Sequence, residues 1–247
     1  YHAGGWGPDA ITELVQEPYA NAPNGQRCVQ YFDKSRMEIN EAADPGSIWR
    51  ITNGLLATEL ITGRRQIGDT QFENYSPANI NVAGDLDDPN GPTYRSFNQL
   101  LDRSALPEGT LITQTVNRNG QVGDDQTYAG YGVTASYHVS TTGHTVASVF
   151  WDYMNRSGTI EIGGQAPNGP LFENPFYGTG YPITEAYWAR IRVGGVEQPV
   201  LIQVFERRVL TYTPNNPEGW RVEAGNVGLH YLTWRSNLPN SNSITIP

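Results

Sequence analysis

Lysine is almost missing from this chain: Lys34 stands alone among 16 basic residues, and the rest are arginine. Basic residues as a whole are outnumbered, since 25 carboxylates leave a formal net charge of −9. No basic stripe exists to neutralise phosphates, which excludes nucleic-acid binding, and the same deficit excludes an anionic membrane surface. Arginine in place of lysine suits forked ion pairs, although GC-rich codon usage produces the same bias. A single cysteine, Cys28, excludes an intrachain disulfide; flanked by apolar residue and Gln, it reads as a strand thiol rather than a nucleophile. No apolar run approaches the roughly 20 residues that cross a bilayer.

Recognisable catalytic motifs are missing as well. The chain has no His-Glu-x-x-His or Cys/His zinc spacing, no Gly-x-Ser-x-Gly elbow and no Gly-rich phosphate loop. His138 and His144 flank one turn, while His2 and His230 lie far off in sequence. The expectation is therefore a protein that is not an enzyme and carries no cofactor. The chain opens at Tyr1 without Met, which fits a mature chain whose signal peptide has been removed.

What the chain does have is abundant glycine and proline, 27 and 17, which suits short elements joined by tight turns. It also carries a worn internal duplication. Ile11-Thr12-Glu13, Gln30-x-Phe32 and Trp49-Arg50-Ile51-x-x-Gly54 return as Ile183-Thr184-Glu185, Gln203-x-Phe205 and Trp220-Arg221-Val222-x-x-Gly225. The order is the same and the offset drifts by only a residue or two, as loop insertions produce. Cys28 aligns with Leu201 in the second copy. Anchors that persist this way are expected to pack, so Trp49 and Trp220 are expected in the core.

The local pattern fills in the units. Arg27 to Phe32 turns at Asp33-Lys34 into Arg36 to Ile39. Tyr187 to Val193, Pro199 to Phe205 and Val209 to Thr213 read as a three-stranded meander. Leu56 and Leu60, and later Val227, Tyr231 and Trp234, recur at helical spacing. In the middle, Thr93 caps a helix bearing Tyr94, Phe97, Leu100 and Leu101. Val133, Ala135, Tyr137 and Val139 alternate as a half-buried strand, and Val146, Phe150, Tyr153 and Met154 form a helical stripe. The predicted fold is α+β and predominantly β: two pseudo-repeated units of hairpin or meander plus short helix, around an inserted middle segment. The units are 1–63 and 146–235, the insert is 64–145, and 236–247 is a polar tail, all within one domain.

Several residues invite a chemical reading. Asp85, Asp87, Asp88 and Asn90 offer hard oxygens on a turn-rich loop, the chemistry of a calcium site, although the EF-hand spacing fails. A solvated acidic loop is the plain alternative. Glu13 and Glu185 hold equivalent repeat positions; brought roughly 5–10 Å apart they would suit glycoside hydrolysis. Residues kept in both copies equally read as acceptors of backbone N–H bonds in a turn. Trp6, Trp151 and Trp188 are candidate sugar-stacking rings, while aromatics at this density also fill β-rich cores. Asn74-Tyr75-Ser76 and Asn155-Arg156-Ser157 match glycosylation sequons of the kind that arise by chance. In the tail, Ile244-Thr245-Ile246 is the one apolar stretch and could add a strand to a neighbour's sheet edge.

The phrases Val29-Gln30-Tyr31-Phe32-Asp33-Lys34-Ser35-Arg36-Met37-Glu38-Ile39-Asn40, Tyr181 to Arg190, Gln203 to Pro214 and Gly225-Asn226-Val227-Gly228-Leu229-His230-Tyr231 resemble uncharacterised secreted proteins of filamentous green non-sulfur bacteria. That resemblance implies an extracellular or cell-surface location and brings no activity. More loosely, Phe150-Trp151-Asp152-Tyr153, Gly180-Tyr181-Pro182 and the Phe205 to Tyr212 strands are similar in order to LGFP-type cell-wall repeats, though no Leu-Gly-Phe-Pro string occurs. The expected function is a non-enzymatic extracellular structural or surface protein whose partner is itself, assembling into a filament or layer through strand addition. The alternatives are a module binding cell-wall or extracellular polysaccharide and, third, a glycan hydrolase.

Overall fold

Short alternating segments separated by turns make an antiparallel meander at the start of the chain. In the computed structural model, which describes residues 10–159, 168–170 and 174–239, β1 (Val15–Pro18), β2 (Gln26–Phe32), β3 (Ser35–Ile39) and β4 (Ile51–Asn53) pair in that order. Helix α1 (Leu56–Thr62) follows and buries Leu56, Leu60 and Ile61. Gly63 ends it in the left-handed region (φ 71°), where a Cβ would overlap the Tyr75 carbonyl oxygen.

The middle of the chain supplies a hairpin, β5 (Arg64–Gln66) with β6 (Phe72–Asn74), and helix α2 (Tyr94–Asn98). Thr93 and Ser96 cap α2 reciprocally, as the Thr93 reading expects. Strands β7 (Gln114–Val116) and β8 (Val122–Asp124) form a second hairpin; β9 (Ala135–Val139) and β10 (His144–Ala147) form a third, leading into α3 (Ser148–Met154). Beyond β11 (Ser157–Thr159) and β12 (Asn168–Pro170), the last quarter runs β13 (Tyr187–Val193), β14 (Val196–Val204), β15 (Val209–Tyr212), β16 (Val222–Ala224) and α4 (Val227–Ser236). The large sheet has the order β16-β15-β14-β13-β7-β8. The middle segment therefore extends the second sheet, β7 lying parallel to β13 with Thr115 opposite Trp188. The fold is α+β and predominantly β.

A set of hydrogen bonds in the first quarter has a like set in the last. The Ile11 amide donates to the Tyr31 carbonyl (2.8 Å) and the Ile183 amide to the Val204 carbonyl (2.9 Å). Thr12 and Thr184 hydroxyls accept from the Tyr31 and Val204 amides, and Gln30 and Gln203 carboxamides donate to the Thr12 and Thr184 carbonyls. Asn40 donates to Arg50 and Thr213 to Arg221; Gly54 donates to Arg36 and Gly225 to Val209. The two quarters then clasp each other. The Thr58 amide of α1 donates to the Glu206 carbonyl on the β14–β15 turn, and the Leu229 amide of α4 to the Asp33 carbonyl on the β2–β3 turn, each at 3.1 Å. Lys34 adds bonds to the Ala224 carbonyl and Asn226, and Arg208 reaches the Asn53 side chain.

A buried ionic network fixes α4 to the first sheet. Arg36, fully buried, pairs with Glu38 and Glu59 and faces Glu17; Arg235 pairs with Glu17 and Arg27 with Glu38. Tyr31 donates to Glu17 (2.7 Å) and Tyr231 to Glu59 (2.6 Å). Three guanidiniums thus face three carboxylates, and the phenols fill remaining lone pairs, as buried charges require. Burial alone raises the Glu17 carboxyl, but Arg36, Arg235 and the Tyr31 hydroxyl outweigh it and hold it at about 2. His230 is pushed down to about 4, first by burial and then by Lys34.

Both groups bind protons more weakly folded than unfolded. Their stabilisation is complete above the ordinary values of 6.5 and 4.5 and is lost as pH falls through the folded ones. Thermal unfolding should show a Tm that is flat above neutrality and falls from about pH 6.5 to pH 2, the Glu17 share being on the order of 3 kcal/mol. A Tm that holds down to pH 3 would contradict this.

Candidate functional site

The large aromatic residues left on the surface form the best candidate site. β10 pairs with β9, but the register shifts so that Val146 faces Tyr137 while Ala147 faces Ala135. The extra residue, Ser136, breaks the expected alternation and leaves Tyr137 41% exposed. In α3, Phe150 and Met154 take the inward face and Trp151 lies beside it, stacked on Tyr137 with ring centroids 4.0 Å apart and 3° between planes. The half-buried Phe176 leans on Trp151 (5.7 Å) and Tyr181 on Phe176 (5.0 Å). Four rings in mutual contact make one continuous surface.

A second group lies around β4. Trp49 is 42% exposed, between exposed Ile48 and Ile51, and touches Tyr177, whose hydroxyl donates to the Ile51 carbonyl (2.7 Å). Its counterpart Trp220 is 67% exposed, in the turn before β16. The expectation that both tryptophans are core is corrected. The Trp-Arg string recurs for its arginine: Arg50 donates to the Asn40 and Ala43 carbonyls and Arg221 to the Asn216 carbonyl, each stapling its own loop. The ring beside each arginine faces outward. Turn residues just before each ring, Pro45-Gly46-Ser47 and Pro217-Glu218-Gly219, are the signal that places it on the surface.

The other sequence candidates fall elsewhere. Trp188 is fully buried: its Nε1 donates to the Ile112 carbonyl (2.8 Å), and Tyr128 and Tyr131 stack on it at 4.7 and 5.0 Å. It offers no face to a sugar, which corrects that assignment. Trp6, His2 and Ile244-Thr245-Ile246 lie outside the described residues.

Comparison with protein-family models, curated proteins and solved structures finds no match. What the site can do is therefore argued from its own chemistry.

The acidic loop is engaged within the fold. Asp85 accepts from the Gly194 and Gly195 amides at 2.8 Å and pairs with Arg192, and those amides hold its carboxyl below the ordinary range. Asp87 also pairs with Arg192, while Asp88 accepts from the Arg192 and Asn90 amides at 2.9 Å. The oxygens thus clamp the β13–β14 turn instead of converging. Among the described residues no three His, Cys, Asp or Glu side chains converge on a metal-sized centre, which corrects the calcium reading of Asp85, Asp87, Asp88 and Asn90.

Glu13 is exposed and Glu185 fully buried, so no shared carboxylate site results. Glu185 accepts from the Thr145 and Leu106 amides (2.9 and 3.0 Å) and lies 3.1 Å from His144 Nδ1; His144 Nε2 donates to the Leu101 carbonyl. That is the fixing of a turn, the second of the two sequence alternatives. His138 lies 3.3 Å from the Thr145 hydroxyl and His230 2.9 Å from the Tyr94 hydroxyl.

Proposed function

We propose that this chain is a non-enzymatic extracellular structural or surface protein that assembles with copies of itself. One observation carries the reading: Trp49 and Trp220 stand exposed at turns that match in sequence, 42% and 67% open. Rings kept at matching surface positions serve contacts outside the chain, and exposed aromatics are what interfaces bury. The turns carrying them lead into β4 and β16, which end their sheets among the described residues. Strand addition by Ile244-Thr245-Ile246 of a neighbour would use such an edge, and head-to-tail addition of that kind yields filaments. The internal duplication belongs to the same proposal, and the hydrogen bonds that recur in the two quarters support it.

Replacing Trp49 and Trp220 together by alanine should abolish concentration-dependent growth in light scattering. Stability should change by no more than about 1 kcal/mol, as expected for surface positions. Assembly that survives the double substitution counts against these rings as the contact.

A second reading, polysaccharide binding, is favoured by the Tyr137, Trp151, Phe176 and Tyr181 surface, since ring faces suit sugar stacking. A dispersed monomer that is retained on cell-wall polymers would select it.

A further inference from the structure

A cleft of about 570 Å³ separates the 74–80 loop from the C-terminal turns of α4. That volume lies within the roughly 300–1,000 Å³ of small-molecule sites. Its apolar wall is fixed in place. Trp234 donates its indole N–H to the Ser76 carbonyl (3.1 Å), and Tyr75 meets the Trp234 ring edge-on at 6.1 Å. The Tyr75 hydroxyl donates to Glu73 (2.9 Å), and the Tyr75 and Ala78 amides tie the loop to Gly63 and Leu60 of α1. The site is therefore organised before any ligand arrives.

Three carboxamides line the cleft: Asn74, Asn79 and Asn237. Asn237 donates its amide to the Thr233 carbonyl and keeps its Oδ1 open, while the Asn74 and Asn79 side chains have no partner among the described residues. Among the described residues no charged side chain contributes to the lining. Carboxamides offer both donors and acceptors, and the partly exposed Tyr75, Pro77 and Ile80 supply apolar surface beside them. Among the described residues of the lining an anion finds no cation and a cation no carboxylate, while the carboxamides can exchange their water for the hydroxyls of a ligand.

We infer that this cleft binds a neutral, hydroxyl-rich ligand, a short oligosaccharide of one or two sugar units. The inference does not depend on self-assembly, and the cleft shares no residue with the Trp151 surface.

The test is a chemical-shift titration of the full chain, isotope-labelled, with cellobiose, maltose and chitobiose. At least one should move the Trp234 indole and the Asn74, Asn79 and Asn237 side-chain amides with saturation. Asn79→Ala combined with Asn237→Ala should weaken that binding at least about tenfold, while the dispersed spectrum shows the fold intact. A chain ending at Pro239 should bind as the full chain does. The inference is overturned if no disaccharide moves these resonances, or if the double variant binds unchanged. It is equally overturned if binding requires removal of 240–247, which would make the chain's own tail the occupant.

Discussion

Arg36→Ala should destabilise the protein by about 3–5 kcal/mol, the cost of removing one partner from a buried ionic cluster. Arg36 is the one guanidinium that faces Glu17, Glu38 and Glu59 together, with Nη2 3.1 Å from Glu59 and Nε 2.7 Å from Glu38. Without it, three carboxylates share only Arg27 and Arg235, so a buried negative charge is left unbalanced. Lysine at this position keeps the charge but not the fork, so Arg36→Lys should recover only part of the loss. Urea unfolding with an unchanged slope gives the difference directly. A loss below about 1 kcal/mol would mean that water, not Arg36, satisfies the cluster.

Gly228→Ala should be comparably damaging for a steric reason. A Cβ there would overlap the Phe32 carbonyl oxygen and sit 3.0 Å from the Asp33 oxygen and the Ser35 nitrogen. Every one of these atoms is backbone on the β2–β3 turn, so no side chain can swing aside. The helix must retreat, and the Leu229 amide then loses its bond to Asp33 while Lys34 loses Ala224 and Asn226. Overpacking of this kind usually costs 1–3 kcal/mol, and the loss of the clasp places this one at about 3 or more. Position 57, three residues after Gly54 as 228 is after Gly225, already holds alanine in α1. Ala57→Gly, which removes a buried methyl and creates no clash, should cost about 2 kcal/mol, the helix-propensity difference plus the lost burial. If both substitutions prove equally mild, the clasp is not what joins the two halves.

The sequence conveys the fold better than it conveys the surface. Strands such as Tyr187–Val193 and Val209–Tyr212 follow from β-branched and aromatic runs bounded by Gly-Gly or charged turns, and Thr93 announces its helix. These are local signals. The paired strings Ile-Thr-Glu, Gln-x-Phe and Trp-Arg-Ile/Val mark positions with matching hydrogen bonds in both quarters, but a shared string does not say which side chain packs. In Trp49-Arg50 and Trp220-Arg221 the arginine has the structural contacts and the ring faces out. Tyr137 turns outward because of a bulge that depends on its pairing with Val146, which lies outside any local window.

The candidate sites were less legible still, because the groups that decide them are distant in sequence. Glu185 reads as catalytic or structural until Leu106, His144 and Thr145 are seen around it. Asp85 and Asp88 read as calcium ligands until the β13–β14 turn arrives more than a hundred residues later. Trp188 reads as a free ring until Tyr128 and Tyr131 cover it. The cleft beside Trp234 joins residues 74–80 to 233–239, and no single stretch of sequence contains it.

The most direct test of self-assembly is light scattering of the purified chain over a concentration series, with electron microscopy of the same samples. Growth in mass with concentration, and regular filaments or sheets in the images, is the predicted result. The same series on a chain lacking 240–247 then decides whether the tail carries the contact. A single dispersed monomer at every concentration, with featureless images, would contradict the account.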